Sequence, residues 1–251
     1  MSQEINNRET ANRETTNRVK GAEGAAAVNR ALAIVAAVES AGAPISLSDI
    51  SRVTGLYKST ILRLIASLEK GALVVQRTDL KYELGPFAFR LGRAYDASHP
   101  LRERVLETLG WLVAQGTESA SFHVRYDDER RLCLFRVDSQ HSTLDNVKAG
   151  DLLPLERGAP ARVINYYLRL VGTPLPKDAP LVIASFGERN PSCAALSCPV
   201  FSNDDHFIGA LSLSGPRERF SDETIAQMTP LLLEAGRTLS ERLGGRWPGI
   251  N

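Results

Sequence analysis

A cluster of hydrogen-bonding side chains stands at the front of an apolar-striped segment, TGLYKSTILRLIASLEKGALV, which covers residues 54–74. The cluster consists of Tyr57, Lys58, Ser59 and Thr60, with Arg63 following about one helical turn later. Hydroxyls and basic groups of this kind contact phosphate oxygens and base edges in nucleic-acid complexes. The amide-rich start of a helix also favours a phosphate oxygen nearby. The first chemistry that the cluster suggests is therefore recognition of a nucleic acid.

The spacing of apolar residues in this segment predicts an amphipathic helix. On a helical wheel, Ser59 and Arg63 lie on one side, together with Ser67 and Lys70. The opposite side carries the apolar residues Ile61, Leu64, Ile65 and Leu68. A helix divided in this way can pack on a core while its polar face enters the major groove of DNA. The alternative is a surface helix whose Ser and Thr residues only cap its first turn.

The segments around this helix predict a winged helix-turn-helix over residues 28–85. VNRALAIVAAVESAG reads as a buried helix, and SLSDISRVTG follows as a second, capped by Ser46 or Ser48 and ended by Gly55. Ile50 and Val53 are expected to face inward. After the third helix, ALVVQRTDLKYELG alternates around a turn and reads as a hairpin, the wing. The predicted DNA-binding residues are Ser48, Tyr57, Lys58, Ser59, Thr60, Arg63, and Arg77 and Lys81 around the wing tip.

The distribution of charge separates the chain into regions. Residues 28–93 hold nine basic and five acidic residues, whereas the 158 residues that follow hold seventeen and twenty. A basic block before a mildly acidic one predicts two domains with different tasks. Residues 1–27 are charge-balanced and contain the tandem repeat NRETA, NRETT, so they are expected to form a disordered arm.

Residues 86–100 are expected to form a helical linker, and residues 101–245 an α+β domain. The linker carries the apolar residues Phe87, Phe89, Leu91 and Tyr95, which need a partner surface. Two-fold assemblies also match the two half-sites of a pseudo-palindromic DNA site, so we expect at least a homodimer. In residues 101–245, short strand patterns mix irregularly with helical ones, which favours α+β over a doubly wound sheet.

Several functional classes lack support in the sequence. Cys133, Cys193 and Cys198 form neither a disulfide framework nor a zinc spacing, and no nucleotide, metalloprotease or hydrolase motif occurs. We therefore expect no enzyme, no cofactor and no metal. No run of eighteen apolar residues occurs, so no membrane partner is expected, and the cysteine usage is typical of the cytoplasm.

Residues 28 to 245 resemble a known protein family. SLSDISRVTGLYKSTILRLIASLEKGALVVQRTDLKYELG resembles the DNA-binding domain of IclR-type bacterial transcriptional regulators. AGDLLPL, GERNPSCAALSCPVF and IGALSLSGPRERFSDE resemble the effector domain of the same family. The resemblance implies a winged helix-turn-helix, a dimerising helical linker and a GAF-like domain that binds a small metabolite. It also implies a double-stranded DNA operator and a homodimer or a dimer of dimers.

The candidate effector residues come from separate segments of this second domain. Ser212 and Ser214 alternate with Leu211 and Leu213, so both hydroxyls share one strand face. They can hydrogen-bond to a carboxylate ligand or simply face solvent, and Arg162 can neutralise an acid or pair on the surface. The resemblance adds a turn at Gly158 and Ala159, Glu188 at the pocket entrance and Cys198 in the pocket wall. The alternatives are a solvated charge for Glu188 and, favoured by its apolar strand, a small buried hydrophobic residue for Cys198. The expected ligand is a small carboxylate with an apolar body, or an aromatic acid, held between Leu and Ile strands.

From the sequence we therefore expect a DNA-binding transcriptional regulator, acting as repressor or activator, that a small metabolite modulates. The rival hypothesis is a ligand-binding or protein-interaction module whose winged helix mediates contacts other than those to DNA.

Overall fold

The computed structural model describes residues 25–98, 101–173, 175–176 and 178–248. Nearly all of the predicted arm, residues 1–27, lies outside them. The chain divides into two compact units, one ending at Ser98 and the other following it.

The first unit has three helices and a two-stranded hairpin around one small apolar core, followed by a fourth helix. Ile34, Ile50, Ile61 and Val74 are fully buried there, and Ile65 is nearly so. They come from every helix of the bundle and from the first strand, so burying them fixes the arrangement of all four elements. The elements are α1 (Ala26–Ser40), α2 (Leu47–Thr54), α3 (Lys58–Lys70), β1 (Val74–Gln76), β2 (Tyr82–Leu84) and α4 (Pro86–Ser98).

Local hydrogen bonds set the limits of α2. The Ser46 side chain accepts from the Asp49 backbone N–H at 3.2 Å and caps the helix, and Gly55 ends it with a φ of 70°. The expectation that Val53 faces inward is wrong, because its side chain is 59% exposed. The inward stripe of this short helix holds Leu47, Ile50 and Thr54 instead, and Leu56 supplies the next apolar contact.

The predicted wing is an antiparallel hairpin of two three-residue strands, with Val74 opposite Leu84. Tyr82 on the second strand is nearly buried and also bridges to Ile45, which joins the hairpin to the segment before α2. This pairing holds the wing against the helices and leaves its tip free to contact a partner.

The second unit is a six-stranded antiparallel sheet in the order β5-β4-β3-β8-β7-β6, with helices packed on it. Its strands and helices mix along the chain as expected for an α+β domain. They are α5 (Leu101–Ala114), β3 (Ser119–Arg125), β4 (Arg130–Val137), β5 (Leu152–Pro154), α6 (Ala159–Leu168), β6 (Ile183–Phe186), β7 (Cys193–Ser202), β8 (His206–Pro216) and α7 (Asp222–Arg242).

The central strands of this sheet have one apolar face and one polar face. Leu211 and Leu213 of β8 are fully buried in the main core. Their neighbour Ser212 faces the other way and lies in register between Ser121 of β3 and Ser197 of β7. These three serines form a row across three strands, called here the serine row, and all are buried.

Among the described residues no helix is long and apolar enough to cross a membrane.

Candidate functional site

The first candidate site is the exposed face of α3. Ile61 and Ile65 bury the opposite face, while Ser59 and Arg63 are exposed and Tyr57, at the N-cap, is 84% exposed. The amphipathic division predicted from the sequence is thus present in the fold. The start of α3 presents its side chains to solvent rather than to the core.

Contacts between elements hold the predicted DNA-binding groups in place. The Lys58 ammonium donates to the Ser48 hydroxyl at 2.8 Å, which ties the start of α3 to the start of α2. In the wing, Arg77 pairs with Glu83 at 3.1 Å and with Asp79 at 3.5 Å. These partners fix the Arg77 side chain near the wing tip, where it remains about half exposed.

Two cations in this unit are available for other contacts. Within the described part of the chain, Arg63 and Lys81 make no ion pair or hydrogen bond through their side chains. Thr60 is half-buried, so its hydroxyl is less accessible than that of Ser59. Free guanidinium and ammonium groups beside exposed hydroxyls can bind phosphate oxygens without first breaking an internal contact.

Leu62 is an exposed residue of α3 that the sequence did not identify as a contact. Its side chain is 47% exposed and lies beside Arg63, at the edge of the polar face. Apolar side chains in the major groove contact the methyl group of thymine. The helical wheel gave no clear signal, because Leu62 lies midway between Ser59 and the buried Ile65.

The second candidate site is a cavity of about 40 Å³ in the second unit. Ser212 and Ser214 of β8 line it together with the turn that begins α6 and with the loop after β6. Five of the seven predicted effector residues thus meet at one place: Gly158, Ala159, Glu188, Ser212 and Ser214.

Two predicted effector residues do not line this cavity. The expectation for Cys198 is wrong: its side chain is fully buried on the opposite face of the sheet, where its thiol contacts the Leu232 carbonyl of α7. Alternation along β7 explains this, because Cys198 shares a face with Leu196 and Val200 rather than with Ala195, which does line the cavity. Arg162 lies outside and reaches Glu188 at 3.3 Å.

Backbone amides at the start of α6 already have partners. The Gly158 N–H donates to the Glu188 carboxylate, and the Ala159 N–H donates to the Ser185 hydroxyl, both at 2.8 Å. A helix start normally attracts an anion because its first amides lack partners. Here Glu188 fills that place, so a ligand anion must find its donors elsewhere in the cavity.

Further residues that the sequence did not identify also line the cavity. His123, Arg131 and Arg189 can donate hydrogen bonds to a ligand, whereas the carboxylate of Asp145 can only accept them. Of the expected wall of Leu and Ile residues only Leu153 is present among the described residues, beside smaller apolar side chains.

Two of these groups have shifted pKa values. Burial and the repulsion of Arg189 lower the pKa of Arg131 to about 10. Burial, with the nearby guanidinium groups of Arg131 and Arg136, holds the pKa of His123 well below its usual value. The lining therefore combines cations with polar and small apolar side chains.

In the part of the chain that the structure describes, no group of three or more His, Cys, Asp or Glu side chains could hold a metal ion. Burial also raises the pKa of the Cys133 thiol to about 12. A thiol is a ligand or nucleophile only as the thiolate, so Cys133 is unreactive at neutral pH.

Comparison with known proteins supplies relatives for the chain. Residues 27–78 match the family model of the IclR helix-turn-helix domain. The chain is 24% identical to the HTH-type transcriptional repressor AllR of Klebsiella pneumoniae, over 88% of this chain and 91% of that protein. It is also 24% identical to the HTH-type transcriptional regulator XynR of Escherichia coli K12, over 86% of this chain and 96% of that protein.

Solved structures share the fold along nearly the whole chain. An IclR transcriptional regulator from Alicyclobacillus acidocaldarius superposes with a TM-score of 0.71 at 20% identity, covering 88% of this chain and 99% of that one. An IclR homologue from Microbacterium hydrocarbonoxydans, solved in complex with 4-hydroxybenzoate, gives 0.69 at 16% identity, with 86% and 100% covered. Residues 27–78 are thus similar to an IclR helix-turn-helix domain, and the chain shares the fold of IclR transcriptional regulators along nearly its whole length.

Proposed function

We propose that this protein is a sequence-specific DNA-binding transcriptional regulator whose affinity for its operator is modulated by a small molecule. The observation that carries the proposal is the exposed face of α3. Tyr57, Ser59 and Arg63 are exposed there, while Ile61 and Ile65 bury the opposite face of the same helix. A recognition helix needs this combination, because packing of its apolar face against the core positions the side chains that contact base edges. The relatives named AllR and XynR, both HTH-type regulators, support the proposal.

Each part of the surface has a separate task in this proposal. Arg63 and Ser59 read base edges in the major groove, and Leu62 meets thymine methyl groups. Lys58 and Thr60 contact phosphates at the start of the helix, and Ser48 positions Lys58. Arg77 and Lys81 of the wing contact the flanking backbone.

The salt dependence of DNA binding tests this assignment. Retained genomic fragments are titrated at two salt concentrations, first with the wild type and then with the Lys81→Ala variant. Each phosphate contact contributes a slope of about −0.9 to log K against log salt, so Lys81→Ala should flatten the slope by about one. The exposed Arg30 of α1, which lies outside the proposed surface, provides the matched control as Arg30→Ala. A wild type that retains no fragment at low salt favours the rival role as a protein-interaction module.

The protein also acts as a homodimer or a dimer of dimers in this proposal, through the helix α4. Its Phe89 is 73% exposed and Leu91 49% exposed within the first unit, although both are large apolar residues. Covering them in a second copy stabilises the assembly, and two recognition helices then meet two half-sites. Light scattering should give a mass at least twice 27.4 kDa. Phe89→Asp should reduce that mass, whereas Val171→Asp, at an exposed apolar residue of the second unit, should not.

The cavity in the second unit is the proposed effector site. It gathers Ser212 and Ser214 with the turn at Gly158, as the resemblance to IclR-type regulators implied, and one relative of this fold is complexed with 4-hydroxybenzoate. On this proposal the protein is a regulator and not an enzyme, needs no cofactor, and works in the cytoplasm where its operator is. Operator affinity measured with and without a panel of organic acids tests the modulation. If no acid changes it, the second unit serves assembly alone.

A further inference from the structure

Three buried polar atoms lack hydrogen-bond partners within the described residues, and all three belong to residues that line the effector cavity. They are Nδ1 of His123, Nε of Arg131 and Oδ2 of Asp145. Over about 90% of buried polar groups in proteins are hydrogen-bonded, because leaving one without a partner costs stability. Three such atoms at one cavity therefore indicate a missing partner with several polar groups.

Two arginines of the cavity have no carboxylate partner among the described residues, because its acidic residues Asp145 and Glu188 pair with Arg136 and Arg162. The Arg131 side chain is almost fully buried and donates from one terminal nitrogen to the backbone carbonyls of Pro154 and Arg157. Neither Arg131 nor Arg189 forms an ion pair with any residue that the structure describes. A buried guanidinium without a counter-ion is unfavourable, so an anion that enters the cavity is strongly attracted.

The acidic residue of the cavity requires a different group from the ligand. Asp145 accepts from the Arg136 guanidinium through Oδ1 at 2.6 Å, and its side chain is 1% exposed. Its second oxygen, Oδ2, has no donor. A carboxylate accepts hydrogen bonds only, so the ligand must present a donor such as a hydroxyl to this oxygen.

His123 restricts the ligand further. Its Nε2 shares a hydrogen bond of 3.0 Å with the Ser121 hydroxyl, while Nδ1 has no partner in the fold. The ring is fully surrounded by protein and faces the cations Arg131 and Arg189. A neutral imidazole offers one donor and one acceptor, so its free nitrogen adds a second hydrogen bond to a ligand hydroxyl or carboxylate.

We propose that the effector cavity selects a short hydroxy acid, whose carboxylate accepts from Arg131 and whose hydroxyl donates to Asp145. The class of ligand rests on the proposed effector role of the cavity. Size agrees with this class: about 40 Å³ is far below the roughly 300–1,000 Å³ of pockets for drug-sized ligands. An aromatic acid needs more room than this cavity provides. This replaces the aromatic or apolar-bodied acid that the sequence suggested.

A thermal-shift panel tests the class of ligand. Glycolate and lactate are compared with acetate and propionate, which have the same carboxylate without the hydroxyl, and with benzoate. Tryptophan fluorescence is the readout, because both tryptophans of the chain, Trp111 and Trp247, lie in the second unit. The hydroxy acids should raise the midpoint by about 5 °C at 100-fold excess over Kd, and their plain counterparts should not. A shift with benzoate alone, or equal shifts with acetate and glycolate, overturns the proposal.

Variants at Arg131 separate a ligand-binding role from a structural one. Arg131→Met should abolish the response to glycolate and raise the midpoint without ligand, because it removes a buried, unbalanced charge. If Arg131 only supports the fold, the same change lowers that midpoint, and the proposal fails. Arg131→Lys keeps the charge and should bind glycolate about tenfold more weakly, since it loses the planar fork. Arg130→Met, at the neighbouring exposed residue that pairs with Asp127, is the matched control and should leave the response unchanged.

Asp145→Asn tests the hydroxyl contact independently. It keeps the size of the side chain and removes its charge, so the preference for glycolate over acetate should disappear while acetate binding strengthens. An unchanged preference contradicts the role of Asp145. Operator binding by the wild type without ligand is measured in parallel. A wild type that binds no operator counts against the regulator, whereas one that binds its operator but shows no preference for glycolate counts against the hydroxy acid alone, so the two failures are distinguishable.

Discussion

The two sites of this protein place their charges in opposite ways. On α3, Arg63 extends into solvent and has no partner among the described residues. In the effector cavity, Arg131 is almost fully buried and also pairs with no carboxylate in that part of the chain. The same guanidinium group therefore meets water in one unit and a low-dielectric interior in the other, where its pKa falls to about 10.

This difference decides how each site is coupled to stability. An exposed cation costs the fold almost nothing, so the DNA surface can be optimised for contacts alone. A buried cation without a partner lowers the stability of the empty domain, and a ligand that neutralises it restores that stability. On the proposed function, the first unit thus binds DNA through a preformed surface, and the second responds to its ligand with a change in folding free energy.

The largest effect is expected on the buried side of α3. Ile61 is fully buried two positions before Arg63. Ile61→Ala should destabilise the first unit by about 2–5 kcal/mol, because it removes apolar area and leaves a cavity. Chemical denaturation followed by helical circular dichroism measures the loss. A loss of folding free energy below about 0.5 kcal/mol would show that α3 does not pack on the core through Ile61.

The exposed side of the same helix should behave in the opposite way. Arg63→Ala should weaken operator binding by about 1–3 kcal/mol, the range for a side chain that reads a base, and leave the folding free energy unchanged. Gel-shift titration and denaturation on one preparation give both values. Unchanged affinity would remove Arg63 from the interface, and a loss of stability would contradict its free exposure.

In the cavity, pH should change stability through His123. Its folded pKa is held well below the usual value by burial first and by the surrounding guanidinium groups second. Below about pH 6.5 the unfolded chain takes up a proton there and the folded chain does not, so stability falls as pH falls, by at most about 1.4 kcal/mol per unit. Denaturation midpoints from tryptophan fluorescence between pH 7.5 and 5 follow this slope. His123→Gln should flatten it, whereas His206→Gln, at an exposed residue, should not.

The smallest effect is expected in the serine row. Ser212 donates its hydroxyl to the Leu196 carbonyl at 3.0 Å, inside an already paired ladder. Ser212→Ala should therefore cost only about 0.5–1.5 kcal/mol, the net value of one hydrogen bond. A thermal midpoint that falls by far more would mean that the hydroxyl supports the cavity itself. Ser51→Ala in the first unit, whose hydroxyl donates to the Leu56 carbonyl at 2.7 Å, provides a matched comparison.

The first unit was predictable because its signals are local. The cap at Ser46, the glycine at Gly55 and the stripe that contains Ile61 each follow from residues a few positions apart. The prediction for Val53 was wrong because a helix as short as α2 offers two possible apolar faces, and only the tertiary core determines which of them is buried. The domain boundaries and the contribution of each DNA-binding residue are still predictions.

The cavity was only half predictable, because its charged residues are buried against expectation. In RRLCLFRV of β4 the leucines suggest the inward face, yet Arg131, Cys133 and Phe135 are the buried residues. Phe135 belongs to the main core, whereas Arg131 lines the cavity, because the pairing of β4 with β3 shifts register between Phe122 and His123. Simple alternation along β4 does not predict this shift, and composition argued against a buried arginine. Asp145 reaches the cavity from a loop after β4, and no pattern of period two or 3.6 marks such a residue.

Serines in the row have a consequence for how ligand preference can change between related regulators. Ser197 and Ser212 satisfy their hydroxyls with carbonyls of the adjacent strand, so neither depends on the ligand for its hydrogen bond. Of the two, Ser212 lines the cavity, so its replacement by Ala or Cys alters the polarity of the cavity floor while the ladder and the apolar face of Leu211 and Leu213 stay intact. On the proposed function, ligand preference can thus change through a single, tolerated substitution, without a change in the DNA-binding unit.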